Sequence, residues 1–285
     1  MAIESVFLSR LNSDGYGFQH AVINAIRRAG HPWQVAASEF PVSYRGRNTH
    51  VDLLAWCHKR FGLLVGECKR VNPRFGAWGF ARSPFTFDDR DSHGGWLEQL
   101  LPRPPAGGIP HSIVRGIPAH QRPFHIAVEI KTAAKGDEQP TDSRGRAFND
   151  ALNQIDIGVN GVFAMLVAEK KILDHYGPVI AVPTIFTTAK LYTTDAALDR
   201  AEIETGEIAN ASFEEVPWLW FEHNVSPELL HEVQRQQLST VQELTGLLPI
   251  RHTRSVAIVS ATGLDRFLEQ VASMLAFLYS NPPHL

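Results

Sequence analysis

The stretch His50–Val71, HVDLLAWCHKRFGLLVGECKRV, constrains this chain more than any other. Two apolar runs, Val51–Cys57 and Leu63–Val71, flank the polar residues His58, Lys59 and Arg60, and Phe61-Gly62 leads into the second run. Short apolar runs joined by a brief polar connection with a glycine predict a β-hairpin. Asp52, Glu67 and Lys69 interrupt those runs. Side chains alternate faces along a strand, so Glu67 and Lys69 share one face and Cys68 takes the other. A pivot between Lys59 and Arg60 makes paired residue numbers sum to about 119, which sets Asp52 opposite Glu67 with roughly 4.5–5.5 Å between their Cβ atoms. Carboxylates that close repel each other, and in apolar surroundings they also lose hydration. A bound divalent cation, a raised pKa on one carboxyl or the Lys69 ammonium would offset that cost. Mg²⁺ suits hard oxygen ligands and a phosphate substrate, and a lysine beside it would polarise or position an attacking water.

Asp52 followed by Glu67-Cys68-Lys69 on two consecutive predicted strands resembles the PD-(D/E)xK nuclease superfamily, the restriction-endonuclease-like fold. The resemblance implies that Asp52 and Glu67 hold the metal, that the Cys68 carbonyl is a further ligand, and that Lys69 assists the nucleophilic water. Val51 stands where the motif is named for a proline. Many relatives carry a glutamate on the first helix, just after an aromatic residue; here Gln19 follows Phe18. Gln19 would orient a metal-bound water or be a plain surface amide. A helix after the catalytic strand often carries a glutamine facing the site, and Gln154 matches it. The resemblance covers about residues 15–195.

Two further Glu-x-Lys matches exist. Glu169-Lys170-Lys171 ends a helical pattern and reads as a solvated helix face. Glu129-Ile130-Lys131, in the strand-like FHIAVEIKTA, is a real competitor, so Glu129 and Lys131 form an alternative catalytic pair. The first set is preferred because it alone has a partner aspartate on the neighbouring strand of a short hairpin.

The charge distribution points the same way. The net charge of the 285 residues is −3, yet residues 1–82 hold 11 Lys+Arg against 5 Asp+Glu. A basic surface beside a metal site fits a polyphosphate substrate, and Arg45, Arg47, Arg70, Arg74 and Arg82 are the expected nucleic-acid-binding residues. Two cysteines, Cys57 and Cys68, argue for a reducing compartment and against a disulfide framework. With no apparent signal peptide and no long apolar run, a cytoplasmic location away from membranes is expected.

Helical spacing covers Phe18–Ala29, with Asp14 or Ser13 as its cap, and a strand follows over Val35–Tyr44 before the Gly46 turn. Residues 72–145, rich in Pro, Gly and aromatics, read as an insertion after the third core strand. Its aromatics, Phe75, Trp78, Phe80, Phe85, Phe87 and Trp96, with Arg74 and Arg82, would stack on or cradle bases, or the aromatics would form a small satellite core. Phe124–Thr132 reads as a strand in or beside the same sheet, Ala147–Lys170 as a helix with a break near Gly158 and Gly161, and Val179–Thr187 as a deep core strand. Residues 196–285 read as a C-terminal α/β extension packed on the core or part of one domain, with helices over Pro227–Leu247 and Leu264–Leu278 and a strand over Ser255–Ser260. The expected fold is therefore an α/β restriction-endonuclease-like mixed sheet flanked by helices. The absence of Gly-Lys-Ser/Thr phosphate loops, dinucleotide fingerprints, nucleophile elbows and His-Glu-x-x-His helices removes those enzyme classes as first choices.

The expected function is a Mg²⁺- (or Mn²⁺-) dependent nuclease acting on DNA, with RNA left open, in restriction, phage defence or repair. The alternative is a catalytically silent nucleic-acid- or partner-binding protein that kept the fold. A homodimer, and a protein partner through 72–145 or the C-terminal region, stay open.

Overall fold

The computed structural model describes residues 3–28, 30, 32–57, 62–72, 76–82, 93–102, 111–118, 122–130, 146–169, 173, 177–196, 198, 201–208, 211–229 and 253–280. The chain opens with helices α1 (Ile3–Ser13) and α2 (Tyr16–Arg27), then strands β1 (Trp33–Tyr44), β2 (Arg47–Cys57) and β3 (Gly62–Lys69). Strands β4 (Ala77–Ala81), β5 (His93–Leu101), β6 (His111–Pro118) and β7 (Ile126–Ile130) precede helix α3 (Arg146–Ala168). After it come β8 (Val179–Thr187), β9 (Lys190–Thr194), β10 (Phe213–Val216), β11 (Trp218–Asn224), β12 (Thr253–Ser260) and α4 (Leu264–Ser280). The architecture is mixed α/β, with mixed sheets flanked by helices.

Among the described residues the main sheet runs β1-β2-β3-β8-β12-β11. β8 is parallel to both β3 and β12, and buried at every position, as expected of a strand covered on both faces. β5 pairs with the start of β8, through Gln99–Ile180 and Leu100–Val179, and with β6. A second sheet runs β10-β9-β4-β7. Residues 72–145 thus supply four strands among those described, three of them (β4, β5 and β6) where the sequence reads as an irregular insertion. β7 belongs to the second sheet rather than the first, because its register is with β4 (Trp78 opposite Glu129).

Two apolar layers cover the main sheet. Val22, Ile23 and Ile26 of α2 and Phe267, Leu268, Val271 and Leu275 of α4 pack with Leu53, Leu64, Val182 and Ala257 on one face. Ile155, Val159, Val162 and Phe163 of α3 pack with Val51, Val65, Ala181 and Ile258 on the other. Trp78 and Phe80 are fully buried and meet Phe148 edge-on, so they are core residues and not base-stacking platforms. α3 is unbroken. A Cβ on Gly161 would fall 2.8 Å from that of Val42, and one on Gly158 would fall 3.1 Å from a Val51 methyl. These glycines serve close helix–sheet approach and do not break the helix. By length and composition α3 is apolar enough to cross a membrane, yet most of it is buried in the protein.

Other expectations are corrected locally. The N-cap position of α2 is Gly15, in a left-handed conformation, rather than Asp14 or Ser13. Within Pro227–Leu247 the described part is a single 3₁₀ turn, Pro227–Leu229. Residues 230–252 lie outside the described residues.

Candidate active site

The β2–β3 hairpin has the register read from the sequence: Leu53 pairs with Gly66, Leu54 with Val65, Ala55 with Leu64 and Cys57 with Gly62. One step further along this ladder come Asp52 and Glu67. Asp52 Oδ2 accepts a hydrogen bond from the Cys68 backbone N–H at 2.7 Å, which ties the carboxylate to the neighbouring strand. Lys69 lies on the Glu67 face, with Nζ 2.7 Å from Glu67 Oε1 and 2.6 Å from Gln154 Oε1. Gln154 arrives from α3, which the two small glycines hold close to β1–β3. The strand end is pinned in turn: the Thr188 N–H donates to the Lys69 carbonyl (3.2 Å) and the Val71 N–H to Thr188 Oγ1 (3.0 Å).

Burial dominates the electrostatics. It pushes the Asp52 carboxyl up to about 6, helped by Glu39 and opposed by the Cys68 N–H and Lys69. It pushes Glu67 up to about 7, with Asp52 adding repulsion and Lys69 pulling back. The Cys68 thiol is held well above its usual range, by burial first and then by Asp52 and Glu67. The Glu67 side chain is 5% exposed and that of Lys69 24%, so the lysine marks the open side of the site. Both carboxyls stay raised although Lys69 pulls each of them down.

Gln19 is buried, not a surface amide. Its Nε2 donates to Glu39 Oε1 at 2.6 Å and to the Asp52 carbonyl at 3.1 Å. Glu39 does not figure in the sequence reading, although a signal for it exists. Arg45 (φ 52°) and Gly46 (φ 76°) form a two-residue turn of left-handed residues between β1 and β2. Ser38 pairs with Leu53 and Phe40 with Val51, so Glu39 and Asp52 stand between those pairs. The hairpin arithmetic applied to 50–71 reaches Glu39 when it is applied one hairpin earlier.

Of the alternative pair, only Glu129 is among the described residues. Glu129, on the second sheet, accepts the backbone N–H of Phe148 in the first turn of α3 at 3.0 Å; Lys131 lies outside the described residues. Arg47 forms an ion pair with Glu228, and Arg45 donates to the Glu228 carbonyl at 2.8 Å. Arg82 stacks over Phe124, 4.4 Å from its centroid. Arg70 is exposed directly after Lys69, and Arg74 lies outside the described residues.

No family model matches the chain, and no curated protein and no solved structure matches it significantly.

Proposed function

We propose that the protein is a divalent-cation-dependent deoxyribonuclease with a restriction-endonuclease-like core. The observation that carries this reading is the Lys69 ammonium, shared between Glu67 and Gln154 beside an Asp52 carboxylate on the adjoining strand. Asp52 and Glu67, with the Cys68 carbonyl, would hold Mg²⁺ or Mn²⁺. The donor set fits such an ion: all are hard oxygens, and both carboxyls are raised by burial and by a charge excess that a cation would relieve. Bound there, the ion supplies Lewis-acid polarisation of the phosphate and eases deprotonation of a water.

The chain's own groups do the positioning. A lysine ammonium carries three N–H donors. Glu67 and Gln154 take two, which leaves one for an attacking water or a phosphate oxygen. Gln154 fixes the Lys69 chain from α3 and adds no charge. Exposed Arg70 and the basic bias of residues 1–82 favour a polyanionic substrate.

The test is incubation with supercoiled, linear and single-stranded DNA and with RNA, in Mg²⁺, in Mn²⁺ and in chelator, with wild type beside Asp52→Asn. Cation-dependent cleavage of DNA that falls about a thousandfold in the variant (roughly 4 kcal/mol of barrier) is the expected result. Cleavage that persists in chelator contradicts the proposal. DNA retained but never cut favours the binding protein.

A further inference from the structure

We propose that Glu39, acting through Gln19, is a positioning residue of this site. Its carboxylate holds the Gln19 amide against the Asp52 carbonyl and so steadies the β2 backbone from which the Asp52 carboxylate projects. This rests on the cation-dependent reading of the site.

Three observations converge on it. Gln19 Nε2 bridges Glu39 Oε1 (2.6 Å) and the Asp52 carbonyl (3.1 Å), linking α2, β1 and β2 at the residue that matters. α2 packs on the face opposite α3. The hairpin is thus gripped from both sides: Gln154 holds Lys69 from one helix, and Gln19 holds the Asp52 backbone from the other. Second, Glu39 has φ 50°. A glutamate in the left-handed region is strained and persists where the surroundings impose it. Gly or Asn would hold that conformation more cheaply. Third, Glu39 is exposed, so burial of its side chain does not explain the residue. An exposed, strained glutamate placed against like charge is a poor choice for stability alone. It makes sense if its carboxylate has a task, and the contact in hand is the Gln19 amide.

The design gives a test in which stability and function move in opposite directions. Glu39→Gly removes the carboxylate and suits the backbone; Glu39→Gln keeps an oxygen acceptor for the Gln19 amide. Mn²⁺ binding is read by electron paramagnetic resonance at fixed pH, with melting temperature measured on the same samples, for these variants, wild type and Asp52→Asn. The expected result for Glu39→Gly is Mn²⁺ affinity weakened about tenfold, the usual size of an effect on groups that support metal ligands. Its melting temperature should be equal to or above wild type, and Glu39→Gln should lie nearer wild type in affinity. Unchanged Mn²⁺ binding in Glu39→Gly overturns the inference, as does weakened binding that comes with a lowered melting temperature. If wild type itself binds no Mn²⁺, or if Asp52→Asn binds as well as wild type, the cation-dependent reading fails first and the inference falls with it.

Discussion

Helix α3 serves two clusters of buried charge, and they hold their cations differently. At one, Gln154 meets Lys69, Glu67 and Asp52. At the other, Asp156 and Asn160 meet Arg254 of β12: Arg254 Nη1 is 2.7 Å from Asp156 Oδ1, and Nη2 is 2.7 Å from Glu98 Oε1 and 3.0 Å from Asn160 Oδ1. His223 Nε2 lies 3.1 Å from Asp156 Oδ2, and Asn160 donates to the Leu229 carbonyl. Burial raises the carboxyl in both places, Asp156 and Asp52 alike to about 6. A perturbed carboxyl therefore does not by itself distinguish function from structure. The two clusters differ in where the cation sits. Arg254, almost fully buried, sits between two carboxylates and bonds both; burial pulls its pKa down, but Glu98 and Asp156 outweigh that. Lys69 sits to one side, partly exposed, paired with one carboxylate, Glu67, and the uncharged Gln154 amide, while Asp52 is held by a backbone N–H. The Arg254 cluster is largely closed to solvent, with Glu98 Oε2, His223 Nδ1 and Arg254 Nε left without hydrogen-bond partners among the described residues, and it ties β5, β11 and β12 to α3. The Lys69 cluster is open to solvent at Lys69.

The largest effect that would break this contrast is in the closed cluster. Arg254→Met strands two buried carboxylates and should lower the unfolding free energy by about 3–5 kcal/mol in urea titrations, with cleavage by the folded fraction unchanged. A stable Arg254→Met variant that has lost cleavage would assign Arg254 to the site instead.

Next comes the cost of the open cluster. Asp52 and Glu67 have folded pKa values of about 6 and about 7, above the ordinary 3.8 and 4.5. The folded state then binds more protons, so stability is lost as pH rises from near 4.5 through 7. Asp52→Asn/Glu67→Gln should be more stable than wild type at pH 7.5, by on the order of 2 kcal/mol, and the gain should shrink towards pH 4.5. His223 has the opposite slope: burial, then Arg254, lowers it to about 4, so it costs stability as pH falls from 6.5 to 4. A pH-independent difference between wild type and the double variant would mean that the two carboxylates are not strained by burial.

The smallest effect is at Glu129. Loss of its hydrogen bond to the first turn of α3 should cost about 1 kcal/mol in Glu129→Ala, the size of a helix-cap deletion, and leave the cleavage rate alone.

The parts of the site that were legible in the sequence share one property: they lie on a single short hairpin. Period-two alternation and a short connection fix a register, and a register fixes which carboxylates meet. Asp52, Glu67 and Lys69 follow from that alone. Gln154 followed from resemblance, and what makes its reach to Lys69 physical is the close packing at Gly158 and Gly161, glycines that look like helix breaks in a linear reading. Glu39 lies one hairpin earlier, on a strand read only as the approach to the Gly46 turn, although the Arg45-Gly46 turn sets it beside Asp52 by the same arithmetic. The Arg254 cluster was illegible because Glu98, Asp156, His223 and Arg254 lie far apart in sequence on four elements, and no local pattern announces a long-range ion pair. The second sheet was missed for a similar reason: β4 pairs with β7 and β9 across long connections, and its apolar residues, Trp78 and Phe80, look the same in a core as in an aromatic platform.

The central claim is that cleavage is performed at the Lys69 cluster. The most direct test is the single-turnover rate of DNA cleavage by Lys69→Ala and by Lys131→Ala, each measured beside its melting temperature. The account predicts that Lys69→Ala falls to background at an unchanged melting temperature while Lys131→Ala cuts like wild type. Loss of cleavage in Lys131→Ala, with Lys69→Ala still active, would contradict it and move the chemistry to the second sheet.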